Sequence, residues 1–173
     1  MALNTYPDDS VLKSSDVNED FLGISNGSEM HYNAAWTSYT PTWTATTSNP
    51  AIGNGTLTGR YLLMGKTVYV RIYLQYGSTS TAGSGNWKWA LPFNNATNIT
   101  KHLVVGTSAI LDSGTAYYRG WVVISSDYQN RVGIILGRTD TTYIQQDYAV
   151  TNTAPMTPAN GDFYSLTFCY ERA

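Results

Sequence analysis

The feature that most constrains this chain is a strict two-residue alternation in residues 67–75. Aliphatic side chains occupy every second position of that segment, namely Val68, Val70, Ile72 and Leu74. A period of two is typical of a β-strand with one buried face. From residue 39 onward, similar short segments alternate with turn signals, ending in residues 163–171, and no convincing helix interrupts them. The sequence therefore predicts an all-β domain, an antiparallel, jelly-roll-like β-sandwich of eight or nine strands.

The first 38 residues differ in composition from the rest. Residues 1–38 carry a net charge of −5, whereas residues 39–173 carry +3. Within the acidic part, Val17, Phe21 and Ile24 fall on one face of a predicted short helix. A helix this short is marginal by itself in water, so we expect it to pack against the domain or against symmetry mates. The sequence thus predicts an attachment leader over residues 1–38, anchored by these three side chains, and a β-sandwich knob over residues 39–173.

Charge and cysteine content exclude several functions. A net charge of −2 favours neither nucleic acid nor an acidic membrane as partner. One cysteine allows no internal disulfide and no cysteine-rich metal site, and Cys169 is predicted to be a small buried residue. The N-terminus lacks the basic and apolar segments of a signal peptide, and no apolar run is long enough to span a membrane. We expect no cofactor and no membrane insertion.

The sequence carries no strong catalytic motif. The two histidines, His31 and His102, have no acidic neighbour in the sequence, and neither a nucleophile elbow nor a phosphate-binding loop is present. A glycosidase needs two carboxylates in one cleft. Most of the domain's acids lie in or beside predicted turns, where they favour local backbone hydrogen bonds. We therefore predict no enzyme, and keep glycan hydrolysis as a third hypothesis that would require a pair among Asp112, Asp127, Asp140, Asp147, Asp162 and Glu171.

Aromatic residues are the more informative set, with 14 tyrosines and 5 tryptophans. Flat rings beside polar loops suit contact with sugars or proteins. Tyr128, at a polar hairpin tip, is the best candidate for a receptor or glycan contact, with Trp87 and Tyr118 as further candidates. Most of the other rings are expected to fill the core or a subunit interface. Tyr69 and Tyr73 are expected to face a second layer or a neighbouring subunit.

Short turn-like motifs recur through the domain, at residues 39–43, Gly53, Gly55, Gly59, Tyr61, residues 65–70 and residues 91–92. Together they resemble the motifs of tailed-bacteriophage fibre, spike and head-fibre modules. Residues 12–21 resemble the leader that often precedes such modules, and residues 155–171 are similar to the last strand of trimeric jelly-roll knobs of the C1q/tumour-necrosis-factor type.

This resemblance implies a homotrimeric virion protein without shared catalytic residues. Its leader would attach to other virion proteins, and its knob would lie distally as a short fibre, head decoration or tail-tip piece, with host-surface contact as a candidate further role. Such proteins are made in the host cytoplasm, in keeping with the missing signal peptide, and localise to the virion. The alternative is a monomeric carbohydrate-binding module that recognises glycans through exposed aromatic residues.

Overall fold

The computed structural model describes residues 35–97, 102–125, 130–137 and 147–173. Within these ranges it contains ten β-strands and no helix, and every strand pair is antiparallel. The predicted all-β antiparallel class is therefore confirmed. The strands are β1 (Thr37–Tyr39), β2 (Trp43–Ala45), β3 (Thr56–Met64), β4 (Thr67–Gln75), β5 (Trp87–Ala90), β6 (Leu103–Asp112), β7 (Ala116–Ile124), β8 (Arg131–Gly137), β9 (Asp147–Ala149) and β10 (Phe163–Glu171).

The strands join in one hydrogen-bonded sheet rather than in two. Their order is β1-β3-β4-β10-β6-β7-β8-β5-β2, and β9 pairs with β8 beside this path. The sheet is curled into a half-barrel, so the predicted two-sheet, jelly-roll-like sandwich is not confirmed. The alternation in the sequence indicates which face of each strand is buried, but it does not indicate which strands become neighbours. A single curled sheet satisfies the same pattern.

The core lies on one face of this curled sheet. On β4 the even-numbered residues from Val68 to Leu74 are buried and the odd-numbered residues are exposed. Strand β10 follows the same rule, with Tyr164, Leu166, Phe168 and Tyr170 on the buried face. Each such side chain contributes roughly 1.5–3 kcal/mol through burial. The centre of the sheet therefore presents one apolar inner face and one outer face of polar and aromatic residues.

Aromatic contacts connect strands that are distant in the sheet order. Trp87 on β5 packs against Tyr164 on β10, with ring centroids 5.1 Å apart. The Tyr39 hydroxyl, on β1 at one end of the strand order, donates to the Ala90 carbonyl on β5 at 3.5 Å. The curl of the sheet thus brings its first and last strands toward the same core.

Close backbone approaches explain two of the glycines. A Cβ atom at Gly59 would lie 2.4 Å from a ring carbon of Tyr39. Glycine on β3 therefore leaves room for the Tyr39 ring of the paired strand β1. Gly53 has a φ of +55°, and a Cβ atom at this position would lie 2.4 Å from the Thr79 carbonyl oxygen. The next residue, Asn54, accepts a hydrogen bond from the Thr79 amide at 2.9 Å. The glycine spacing therefore reflects loop and strand packing.

Most of the predicted leader falls outside the described residues. Its predicted helix and its three anchor candidates, Val17, Phe21 and Ile24, all lie in residues 1–34, which the structure does not describe. The described end of the predicted leader, residues 35–38, already enters the domain, because β1 begins at Thr37. In the described ranges no helix is long and apolar enough to cross a membrane.

Candidate functional site

The structure shows how exposed two of the three predicted receptor or glycan contacts are. Trp87 is only 1% exposed and donates its indole N–H to the Ala82 carbonyl at 2.9 Å. The prediction that Trp87 contacts a receptor or glycan is therefore wrong, because a ring buried in the core presents no face to a ligand. Tyr118 is half-buried and packs against the core. Tyr128 lies outside the described residues.

The exposed aromatic residues lie instead on the outer face of the sheet. Tyr69, Tyr73 and Trp121 remain 43%, 37% and 37% exposed, and Tyr117 is more exposed still. Cys169 is also exposed there, so its predicted burial is wrong. The cause is the two-residue period of β10, which turns Phe168 and Tyr170 inward and Cys169 outward.

Strand register arranges this outer face as two rows across β4, β10, β6 and β7. One row contains Tyr73, Ser165, Ala109 and Arg119, and the other contains Arg71, Thr167, Thr107 and Trp121. In each row two small residues lie between one aromatic and one arginine, and the order is reversed between the rows. The array therefore has large side chains at its four corners and small side chains in its middle.

A shallow trough lies over the small residues, because short side chains between long ones leave the sheet surface uncovered. Its volume is about 470 Å³. It extends over β10, β6 and β7, with Tyr73 and Arg71 beyond it on β4. We call this cavity the outer trough; its lining is Thr107, Ser108, Ala109, Arg119, Gly120, Trp121, Ser165 and Thr167.

The charge around the outer trough is positive. Arg119 lies in its lining, and Arg60 lies opposite Arg71 in the register of β3 and β4. The Arg71 guanidinium stacks over the Trp36 ring, 4.9 Å from its centroid, which leaves its charge unneutralised. Neither row contains a carboxylate. The nearest described acids are Asp112, three residues beyond Ala109, and the buried Asp162, three residues before Ser165, each about 10 Å along the strand direction.

A second cavity lies beside β2 and β3. It has a volume of about 520 Å³ and is lined mainly by proline and apolar side chains, with Trp43 among them. The Trp43 indole nitrogen is enclosed and has no hydrogen-bond partner among the described groups. The lining of this second cavity contains no charged residue. The outer trough is therefore the better candidate for ligand recognition. The lining residues of the second cavity are Thr40, Pro41, Trp43, Pro50, Ile52, Gly55, Thr56 and Leu57.

One described carboxylate, that of Asp162, has a clear structural role. Asp162 is 1% exposed, and its two carboxylate oxygens accept hydrogen bonds from the amides of Ser113 at 2.8 Å and Ala159 at 2.7 Å. Both oxygens are thereby used in joining two loops. Asp127 and Asp140 lie outside the described residues, as does the side chain of Asp147. Where the chain is described, no group of three or more His, Cys, Asp or Glu residues could hold a metal ion.

Burial raises the pKa values of several tyrosine phenols. Burial raises the pKa of the Tyr164 phenol far above its ordinary value, and the carboxylates of Asp162 and Asp112 raise it further. Burial likewise raises the pKa of Tyr39 and Tyr76. Because burial raises their pKa values, these phenols remain neutral at physiological pH and supply no charge to the outer trough.

Comparison with known proteins gives one sequence relationship. The chain is 32% identical over 93 residues to the Mu-like prophage FluMu defective tail fiber protein of Haemophilus influenzae. This chain contains a segment related to a phage tail fibre protein. The match covers 54% of this chain but only 14% of that protein, so the chain corresponds to a small part of its relative.

No protein-family model matches the chain. Among solved structures, the Dettilon tailspike protein aligns with a TM-score of 0.49 at 15% sequence identity, over 80% of this chain and 24% of the tailspike.

Proposed function

We propose that this chain is a structural module of a phage tail that contacts the host surface through the outer face of its sheet. The observation that carries the proposal is the 93-residue relationship to a tail fibre protein. The exposed aromatic and arginine side chains around the outer trough support it, because recognition surfaces are enriched in these residue types. The relationship to a tail protein favours a tail location over head decoration.

The proposal includes a homotrimer held in the virion by its leader. Val17, Phe21 and Ile24 would form the apolar side of a short anchoring helix that binds other virion proteins. The acidic charge of the leader would keep its other side in water. Binding rather than catalysis is proposed, because the best-defined buried carboxylate, Asp162, is occupied by backbone amides.

A monomeric carbohydrate-binding module remains the second candidate, and the outer trough is the observation that favours it. The two candidates differ in solution mass. Light scattering of the purified chain should give three times 19.0 kDa for the trimer. A mass of 19.0 kDa that persists as the concentration rises would favour the monomeric module.

Binding of the fluorescently labelled full chain to host bacteria tests the proposal. We expect saturable binding that the unlabelled chain displaces. Particles assembled without this protein should adsorb poorly, and a Val17→Asp, Phe21→Asp variant should fail to enter the particle. A labelled chain that does not bind the bacteria, together with normal adsorption by particles that lack it, would overturn the proposed function.

A further inference from the structure

We infer that the outer trough is a binding site for an acidic saccharide, held by Arg119 and stacked on Trp121, both of which line the trough. The inference rests on the proposed function, since it names the chemical class of the surface ligand and the residues that read it. Nothing in the relationship to the tail fibre protein assigns a ligand or a site.

The charge of the array favours an anionic ligand. The array carries Arg71 and Arg119 at opposite corners, with Arg60 beside Arg71, and no carboxylate in either row. No ion pair involving Arg119 is found among the described residues. Guanidinium groups bind carboxylate and phosphate in a two-pronged geometry. A surface that presents three such groups and no acid among them is complementary to an anion.

The shape of the array suits an extended ligand. The small floor residues Ser165, Ala109, Thr167 and Thr107 let a ligand approach the sheet, and three of them offer hydroxyl groups. Trp121 provides a flat apolar face at one end, and Tyr73, whose ring packs against Phe163 with centroids 5.7 Å apart, borders the other end. Opposite ends of a row are three inter-strand spacings apart, about 14 Å. Such a strip, with rings at the ends and hydroxyls between them, suits a short extended ligand that has both apolar ring faces and polar edges.

The chemistry of the array favours a saccharide over a second copy of the chain. A second copy packed face to face would present the same array, which holds no carboxylate and therefore offers the arginines no counter-charge. Packing of the outer face against itself is therefore disfavoured. An acidic saccharide satisfies both features of the array, because its carboxylates pair with arginine and its ring faces stack on aromatic side chains.

The experiment is an array of bacterial surface polysaccharides, each printed in its native acidic form and in a carboxyl-reduced form. The probe is the labelled full-length chain. We expect binding to at least one acidic polysaccharide, a loss of about tenfold or more on carboxyl reduction, and weaker binding at high salt because the charges are screened.

Matched variants locate the site. Arg119→Gln and Trp121→Ala should each weaken binding by about tenfold. Lys66→Gln removes the same charge at the exposed β3–β4 turn, and Tyr69→Ala removes a similarly exposed ring on β4 that lies outside the trough lining and outside both rows. Both control variants should bind like the wild type. Circular dichroism of all four variants confirms that they are folded.

Three results would overturn the inference. The first is equal binding of acidic and carboxyl-reduced polysaccharides, and the second is equal loss in the trough and control variants. The third is a fall in oligomer mass with unchanged array binding for Trp121→Ala, which would make the trough an interface between copies. If the wild type binds host bacteria in the whole-cell assay but prefers no acidic polysaccharide, only this inference fails; if it binds neither, the proposed function fails as well.

Discussion

Trp87 meets Trp43 edge to face, with ring centroids 4.7 Å apart and ring planes at 88°. The two residues lie on the paired strands β5 and β2, which are the last two in the sheet order. Trp87 also contacts Tyr164 across the core. An edge-to-face pair adds about 0.5–1.5 kcal/mol beyond the area it buries. The Trp87–Tyr164 contact holds this end of the sheet against the central strand β10.

Replacing Trp87 should destabilise the fold strongly. We expect Trp87→Ala to lower the free energy of unfolding by about 3–5 kcal/mol, because it removes a large buried ring and leaves a cavity. Trp121→Ala is the control, since that ring is on the surface, and should cost less than about 1 kcal/mol. Urea unfolding followed by tryptophan fluorescence and circular dichroism measures both values. Similar losses for the two variants would contradict the assignment of Trp87 to the core.

Adding a methyl group at Gly59 should disturb strand β1. A Cβ atom there would overlap the Tyr39 ring, so Gly59→Ala should cost about 1–3 kcal/mol in the free energy of unfolding. In a Tyr39→Ala background the same change should cost much less, because the overlapping ring is gone. A double-mutant cycle by urea unfolding measures this coupling. Additive effects would show that Tyr39 does not pack over Gly59.

Asp162 should be needed for stability. Its two oxygens accept from two backbone amides, and the amide group of asparagine can accept only through its single oxygen. Asp162→Asn should therefore lower the free energy of unfolding by about 1–3 kcal/mol. Glu171→Gln, at the exposed end of β10, is the matched change and should cost less than about 0.5 kcal/mol. Equal stability of the two variants in urea would refute the role of Asp162 as a loop clamp.

Alkaline pH should destabilise the domain through its buried phenols. The Tyr170 hydroxyl donates to the Phe93 carbonyl at 2.8 Å and accepts from the Phe93 amide at 3.1 Å. Burial raises its pKa to about 12, although the Phe93 amide and Arg172 oppose the shift. Since the folded pKa exceeds the ordinary value of about 10, the stabilisation is complete below pH 10 and is lost as the pH rises toward 12.

The measurement is urea unfolding as a function of pH, with Tyr170→Phe as the comparison. The variant should lose about 1–3 kcal/mol at neutral pH, since both Phe93 groups lose their partner, and its stability should fall less steeply above pH 10. Identical slopes for the wild type and the variant would exclude Tyr170 as a source of the alkaline loss.

Local sequence patterns were sufficient for several individual strands. The alternation in residues 67–75 predicted the buried face of β4, and the last strand, β10, lies in residues 163–171, where the sequence placed it. These features depend on residues close together in the chain. The sheet order depends on pairings such as Phe168 with Gly106, which no local pattern encodes. This is why one curled sheet was predicted as a sandwich of two.

The candidate site could not be predicted for the same reason. Arg119 and Arg71 reach one array only because β10 and β6 lie between their strands, in a register that alternation does not fix. A β-bulge between Val104 and Gly106 also shifts the face that β6 presents. A sequence signal did exist, since Tyr117, Arg119 and Trp121 share one face of β7, but it does not distinguish an outer surface from a core.

The most direct test of the account is a competition experiment with the phage particle that carries this protein. An excess of the purified wild-type chain should block adsorption of the particle to its host bacteria. The folded Arg119→Gln, Trp121→Ala double variant should block it far less, while the Lys66→Gln, Tyr69→Ala double variant should act like the wild type. Equal blocking by all three proteins, or by none of them, would contradict the claim that the chain attaches to the host through the outer face of its sheet.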